Sequence, residues 1–139
     1  MPIHLDITSQ DRCVFSGDVD MVVVPGSAGE MGILPHHAPL LSTLKMGVIK
    51  VRSKGEETIF TVAGGVVEVQ PDSIIILADA AENVQEIDLE RAENARKRAE
   101  EYLAKAVPQD TDTYLALQAA LHRSNLRIDA VKKFKKAQR

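Results

Sequence analysis

A chain of 139 residues, 45% of them hydrophobic, is long enough for one compact domain, or for a small domain with an appendage. Only 4% of its residues are aromatic and none is tryptophan, while 17 basic residues stand against 20 acidic ones for a formal net charge of −3. This composition argues against a protein that stacks nucleic-acid bases on aromatic rings, and against a general polyanion binder. The single cysteine, Cys13, excludes an intrachain disulfide.

The start of the chain predicts no targeting segment. Residues 1–7 enter a strand pattern directly, which leaves no room for a secretory signal or a transit peptide. No apolar run approaches the roughly 20 residues that a membrane-spanning helix needs. We therefore expect the protein itself to be soluble and cytoplasmic, whatever it attaches to.

The first 80 or so residues predict β-structure. Apolar and polar residues alternate over 3–7 and again over 19–23, which is the period of a half-buried strand. Glycine and proline predict loops at 26–29 and 31–35. Five more short strands are expected at 40–44, 47–52, 58–62, 66–69 and 74–77. Turn signals at regular spacing favour an antiparallel sandwich or barrel of about seven to ten strands.

The pattern changes at residues 87–92, which read Ile-Asp-Leu-Glu-Arg-Ala. Asp88 is a good N-cap for a helix that runs to about Ala106, and Ile87 can pack on Ala92 as a hydrophobic staple. Small residues recur in this helix at spacings of three and four, which allows close approach of another helix. The stripe consists of Ala92, Ala95, Ala99, Leu103 and Ala106.

A second helix is predicted after Pro108 breaks the first one. Asp110 or Asp112 can cap it, and it runs to about Lys135. Its apolar face is predicted to contain Tyr114, Leu117, Leu121, Ile128 and Val131. Two helices joined by a short loop make an antiparallel αα-hairpin. The predicted organisation is therefore α+β, with a β-domain over residues 1–85 and a two-helix domain over 86–139.

Four arginines occupy matched positions on the two predicted helices: Arg91 and Arg98 lie two turns apart on the first, and Arg123 and Arg127 share a face of the second. Like charges converge only around an anion, and the guanidinium fork matches phosphate, so a polyphosphate is the natural counter-ion. Asp88 and Glu82 would then accept hydrogen bonds from a base or ribose, or orient the arginines. The alternative is that these charges only keep surface helices soluble.

Three other features allow a structural interpretation as well as a functional one. Residues 132–139 carry five positive charges and no negative ones, which suits an acidic partner or a solvated tail. His36 and His37 are expected to make packing or interface contacts rather than bind a metal, because adjacent residues of a strand point to opposite faces and no ligand cluster accompanies them. Gly64 and Gly65 predict a bulge or a close backbone approach.

Three stretches carry a resemblance that covers essentially the whole chain. Residues 29–40 read Gly-Glu-Met-Gly-Ile-Leu-Pro-His-His-Ala-Pro-Leu, residues 64–69 read Gly-Gly-Val-Val-Glu-Val, and residues 76–82 read Ile-Leu-Ala-Asp-Ala-Ala-Glu. Together they resemble the epsilon subunit of bacterial F-type ATP synthases, the small subunit of the rotating central stalk. The resemblance implies a ten-stranded β-sandwich followed by a helical hairpin, with no catalytic chemistry in this chain.

The resemblance also implies partners and a location. The expected partners are the gamma subunit of the stalk, the membrane rotor ring of c subunits and the alpha/beta catalytic head, reached by the extended helices. Glu30 resembles a position that faces the rotor ring, although a plain exposed loop acid would look the same. The expected location is the cytoplasmic face of the cell membrane, as a peripheral part of the complex.

Residues 87–92 are similar to the (Ile/Leu)-Asp-x-x-Arg-Ala motif of epsilon subunits that bind ATP between their folded helices. Carried over position by position, the implied ATP site consists of Glu82, Ile87, Asp88, Arg91, Ala92, Arg98, Arg123 and Arg127. The implied function is inhibition of ATP hydrolysis by the extended hairpin, with ATP as a regulatory ligand that favours the folded form. Participation of Mg²⁺ stays open. The alternative is a purely structural coupling subunit that does not sense ATP.

Overall fold

The computed structural model describes residues 2–105 and 111–135. The chain divides into two compact units, Met1–Val84 and Gln85–Arg139. The first contains the strands and the second contains the helices, joined in sequence by a 3₁₀ turn at Val84–Glu86. The predicted fold class, a β-sandwich followed by a two-helix region, is confirmed.

The first unit is built from eight strands within the described residues. They are β1 (Ile3–Thr8), β2 (Cys13–Val19), β3 (Met21–Gly26), β4 (Gly29–Ile33), β5 (Leu40–Ser53), β6 (Glu56–Val69), β7 (Ser73–Ala78) and β8 (Ala81–Asn83). Neighbouring strands follow the order β2-β1-β7-β6-β5-β3-β4, and β8 pairs with β6. The pairing is antiparallel except between β1 and β7, which run parallel, so the expectation of a wholly antiparallel arrangement is wrong at that pair.

The difference between ten expected strands and eight observed ones comes from the two long strands. β5 and β6 are 14 residues each and stay paired along their length, so the segments expected as separate strands are the two arms of each. Gly64 and Gly65 have φ values of 98° and 139°, which allow β6 to bend without ending. A Cβ on Gly65 would collide with the carbonyl oxygen of Leu77 and lie 2.9 Å from the Cα of Ala78. The predicted close backbone approach is confirmed.

Part of the predicted loop at 31–35 is strand instead. Residues 29–33 form β4, an edge strand whose Met31 pairs with Val24 of β3. Its period-two alternation was hidden by Gly29 and Gly32, which resemble turn residues in sequence alone. The histidine pair follows β4 in a turn and not in a strand, and His36 has a positive φ of 66°.

Valine, isoleucine and leucine dominate the core of the first unit. Inward-facing side chains of β1 and β7 alternate with outward-facing ones, and fully buried members are Ile3, Leu5, Ile7, Ile74 and Ile76. Phe60 is the largest of the fully buried side chains, and Phe15 meets it edge to face with ring centroids 5.8 Å apart. Each such side chain contributes about 1.5–3 kcal/mol through removal from water.

The second unit contains two helices that pack against each other, α1 (Leu89–Lys105) and α2 (Thr111–Phe134). The predicted stripe of α1 is confirmed over the described residues, because Ala92 and Ala99 are buried while Ala95 and Leu103 are half-buried. Ala106, Pro108 and Asp110 lie outside the described residues, and Asp112 lies within the first turn of α2 rather than before it.

The predicted apolar face of α2 is present from its middle to its end. Ile128 and Val131 are buried, and Leu117 and Leu121 are half-buried. Tyr114 was expected on this face but is 38% exposed. α2 has 24 residues and α1 has 17, so the beginning of α2 lies beyond the last described turn of α1.

Candidate functional site

The site begins at the first turn of α1, where local sequence determines the geometry. The backbone N–H of Arg91 donates to Oδ1 of Asp88 at 3.1 Å, and the N–H of Ala92 donates to the Asp88 carbonyl oxygen at 3.0 Å. Asp88 is therefore the N-cap, as predicted. Ile87 and Ala92, the two ends of the predicted staple, are 1% and 0% exposed.

The end of α2 meets this same turn. Nζ of Lys135 donates a hydrogen bond of 2.8 Å to the carbonyl oxygen of Ile87, 48 residues earlier in the chain. Because Lys135 directly follows α2 and Ile87 precedes α1 by two residues, the contact shows that the helices run antiparallel. It also shows that the motif at residues 87–92 lies beside the end of α2, at one end of the hairpin.

The four arginines can be located from that level. Counting about 1.5 Å per residue from the Ile87–Lys135 contact, Arg98 lies about 17 Å along α1 and Arg123 about 18 Å back along α2. By the same count, Arg91 and Arg127 lie about 6 and 12 Å from the contact. All four therefore fall within about 12 Å of hairpin length.

Each arginine comes immediately before a buried residue: Arg91 before Ala92, Arg98 before Ala99, Arg123 before Ser124 and Arg127 before Ile128. Arg127 is half-buried and the other three are exposed. In the described part of the chain, the side chains of Arg91, Arg98 and Arg123 form no ion pair with a carboxylate. By contrast, Nε of Arg96 lies 3.9 Å from Oε1 of Glu100. Three of the four guanidinium groups are thus available to an anion.

Two predicted residues belong to the first unit. Glu82 is half-buried on β8, paired across the sheet with Thr61 of β6. Its role at a base or ribose stays a prediction. Glu30 is exposed on β4, opposite Pro25 of β3, which is compatible with a surface contact.

An exposed apolar surface on the sheet was not predicted. The outward side chains of β5, β6 and β7 include Leu41 at 71% exposure and Leu77 at 57%, together with Val66 and Ile75. Val66 pairs with Leu77 across two neighbouring strands, and Leu41 and Ile75 lie on either side of Glu68, so the four side chains share one face of the sheet with a carboxylate among them. We call this set of four residues the apolar face. Its signal in the sequence is the run of four apolar residues at 74–77. A strand that is buried on one face needs an apolar residue only at every second position, so the other two apolar residues face outward.

Charge is distributed unevenly between the two units. Residues 1–84 carry five basic and eleven acidic side chains, whereas residues 85–139 carry twelve basic and nine acidic ones. The helical unit is therefore the one suited to an anion. In the first unit, Oδ1 of Asp18 accepts a hydrogen bond from Nδ1 of His4 at 3.1 Å and raises the pKa of His4 above its ordinary value; Asp6 acts in the same direction, while desolvation opposes them.

Across residues 2–105 and 111–135, no group of three or more histidine, cysteine or carboxylate side chains is arranged to hold a metal ion. None of the helices in the described ranges is long and apolar enough to cross a membrane.

Comparison with known proteins gives the family. Residues 2–84 match the family described as ATP synthase, Delta/Epsilon chain, beta-sandwich domain, and residues 85–132 match ATP synthase, Delta/Epsilon chain, long alpha-helix domain. This chain belongs to the epsilon-chain family of ATP synthases. The ATP synthase epsilon chain of Dehalococcoides mccartyi is 45% identical over 135 residues, covering 96% of this chain and 95% of that one. The ATP synthase epsilon chain of Desulforamulus reducens is 43% identical over 127 residues, covering 91% and 95%.

Solved structures share the fold of the epsilon-chain family. A chain from the mitochondrial ATP synthase of Euglena gracilis superposes with a TM-score of 0.67 at 21% identity, covering 94% of this chain and 78% of that one. A chain from the central stalk and c-ring of the Tetrahymena thermophila enzyme gives 0.60 at 15% identity, covering 94% and 97%. As an epsilon chain, the protein is an accessory subunit of the central stalk of a membrane-associated rotary complex, and is not itself a catalytic chain.

Proposed function

We propose that the helical unit senses nucleotide and inhibits ATP hydrolysis when it is extended. It binds ATP across its two helices, and bound ATP stabilises the folded form, which does not inhibit. The observation that carries the proposal is the set of exposed arginines without carboxylate partners, on both helices and within about 12 Å of hairpin length. Such a set costs electrostatic repulsion unless an anion neutralises it.

The direction of the arginines supports convergence. In an antiparallel helix pair, residues that precede the mutually packed positions project to the same side, because reversing one helix also reverses its sense of rotation. Each of the four arginines precedes a buried position. Arg98 and Arg123, at nearly one level, form the natural pair of forks around a phosphate group.

The start of α1 offers a second kind of contact. Asp88 uses Oδ1 for its cap, which leaves Oδ2 to accept a hydrogen bond from a hydroxyl or amino group. The base and ribose end of ATP is therefore proposed to lie beside residues 87–88, with the phosphates toward the arginines. Whether Mg²⁺ accompanies the phosphates is decided by titration with and without the metal.

Regulation follows from differential affinity. ATP that binds the folded hairpin and not the extended one stabilises the folded form by about 2.7 kcal/mol at a concentration one hundred times Kd. Low ATP then releases the helices to extend toward the alpha/beta catalytic head, where they block rotation in the hydrolysis direction. In that form the basic residues from Lys132 onward are proposed to meet an acidic segment of the head.

The remaining partners are proposed for the first unit. The apolar face is the candidate contact with the gamma subunit, because exposed apolar side chains grouped on one surface mark protein interfaces. Glu30 is the candidate contact with the rotor ring of c subunits. We further propose that the protein works at the cytoplasmic face of the cell membrane, as a peripheral part of the complex. These assignments also serve the second candidate function, a structural coupling subunit that does not sense ATP.

Calorimetric titration of ATP into the purified chain separates these two functions. Binding in the micromolar to millimolar range is expected, weakened about tenfold or more by Arg91→Ala and by Arg123→Ala, since each removes a charge-assisted contact. The Arg91 substitution keeps the backbone N–H that completes the cap.

Matched controls are available on each helix. Lys97→Ala removes an exposed cation from α1, and Lys132→Ala removes one about 180° around α2 from Arg123. Both controls should bind ATP as the unsubstituted chain does. Absence of ATP binding, or binding that the two arginine substitutions leave unchanged, would refute the sensing function and favour structural coupling.

A further inference from the structure

The carbonyl group of Ile87 lacks a helical partner. The first helical hydrogen bond of α1 is accepted by Asp88, one residue later, from the N–H of Ala92. Ile87 is nevertheless 1% exposed, and a backbone carbonyl in such a place requires a hydrogen-bond donor. Local sequence does not supply one.

Lys135 supplies that donor from the far end of the hairpin. Its own N–H donates to the carbonyl oxygen of Val131 at 3.0 Å, which fixes its backbone at the end of α2. Its Nζ then reaches the Ile87 carbonyl at 2.8 Å in a partly buried contact. The neighbouring lysines behave differently: Lys132 and Lys133 are exposed, and Nζ of Lys133 lies 5.3 Å from the ring centroid of Phe134.

We propose that Lys135 is a positioning residue that latches the first turn of α1 to the end of α2, and that this latch sets the balance between the folded and open hairpin. The proposal rests on the proposed function, because the latched residue belongs to the segment assigned to ATP. With the latch closed, residues 87–88 are held in place by the cap on one side and by the ammonium group on the other.

The same lysine then serves both states of the hairpin. In the folded state its ammonium group donates a hydrogen bond to the Ile87 carbonyl oxygen. In the open state it returns to the basic run that begins at Lys132, where it is free to meet an acidic partner. Opening therefore exchanges one internal contact of this lysine for one external contact.

Amide hydrogen exchange of the full chain without nucleotide tests the latch. Lys135→Met keeps the apolar stem and removes the donor, and peptides of α1 and α2 should exchange about tenfold faster, corresponding to about 1.4 kcal/mol. Peptides from residues 2–84 should not change, which shows that the chain is folded. Lys132→Met is the matched control and should leave both helices unaltered. Lys135→Arg, which retains a charged donor, should restore most of the protection.

The latch is refuted if Lys135→Met and Lys132→Met exchange alike, or if Lys135→Arg is as fast as Lys135→Met. Addition of ATP provides the second arm. Saturating ATP should slow the helices of Lys135→Met back toward the unsubstituted chain, because the ligand stabilises the same folded state. If ATP protects neither chain while Lys135→Met remains faster, the latch stands and the ATP-sensing function fails, so the two failures are distinguishable.

Discussion

Asp88 is the N-cap of α1 and is also proposed to contact ATP, and one pair of substitutions separates the two roles. As the N-cap it accepts the Arg91 N–H at 3.1 Å, and its loss to alanine should cost the helical unit about 1 kcal/mol, within a usual range of roughly 0.5–2. Asparagine caps a helix about as well as aspartate, so Asp88→Asn should cost only the charge–dipole part, a few tenths of a kcal/mol when salt screens it. In the proposed ATP site, however, asparagine replaces a charged acceptor by a neutral amide.

Amide hydrogen exchange of α1 measures the contribution of the cap, and calorimetric titration measures the affinity for ATP. Exchange of the first turns should accelerate about fivefold in Asp88→Ala and little in Asp88→Asn, while both variants should bind ATP more weakly than the unsubstituted chain. Glu90→Ala, two residues further along and exposed, is the control: it should change exchange by no more than the charge–dipole part and should leave ATP binding unaltered. Equal acceleration in the alanine and asparagine variants would refute the capping argument, since it would show that charge alone matters.

Three further predictions concern the first unit. Gly65→Ala should destabilise the fold by about 3 kcal/mol in urea unfolding because of its backbone collision, whereas Gly55→Ala, with φ of 80° and open space, should cost about 1; equal losses would contradict the collision. Asp18→Asn should lower the pKa of His4 in an NMR titration. Because that pKa is raised, the contact stabilises fully below 6.5 and is lost as pH rises through the folded value, so an unchanged titration would exclude the contact. Leu77→Asp should leave stability within about 1 kcal/mol yet weaken pull-down by the gamma subunit, and unaltered assembly would remove the apolar face as its contact.

Local signals in the sequence were sufficient for the elements that depend on local physics. The cap at Asp88 follows from residue type and position, and the stripe of α1 follows from spacing. The close approach at Gly65 follows from a glycine pair within a strand pattern. For the cap and the stripe, the residues' own neighbours in sequence determine the outcome, whereas at Gly65 the sequence signals a close approach whose partner, Leu77, only the fold identifies.

Elements that depend on distant partners were missed or misplaced. The sequence predicts a loop over part of β4 because its glycines mask an alternation that only pairing with β3 reveals. The sequence predicts two strands within each of β5 and β6, because a bend in a strand and a break between two strands give the same sequence pattern. Only the pairing of β5 with β6 distinguishes them. The parallel pairing of β1 with β7 has no local signature at all.

The candidate site shows the same division. The sequence proposes Arg91 and Asp88 through a compact motif, and Arg123 and Arg127 through their spacing and the family resemblance; their part in binding ATP stays a prediction. Lys135 was grouped with the basic tail, because no rule of spacing connects it to a carbonyl 48 residues earlier. Only a folded hairpin brings the two together, which is the property that makes the contact sensitive to hairpin opening.

The most direct test of ATP binding across the hairpin is amide exchange of the unsubstituted chain with and without ATP. ATP bound across both helices must slow exchange in α1 and α2 together, while peptides from residues 2–84 other than those near Glu82 stay as they were. ATP sensing by the helical unit predicts this joint protection and its loss in Arg123→Ala. If saturating ATP leaves the exchange of both helices unchanged, the helical unit does not bind ATP as proposed.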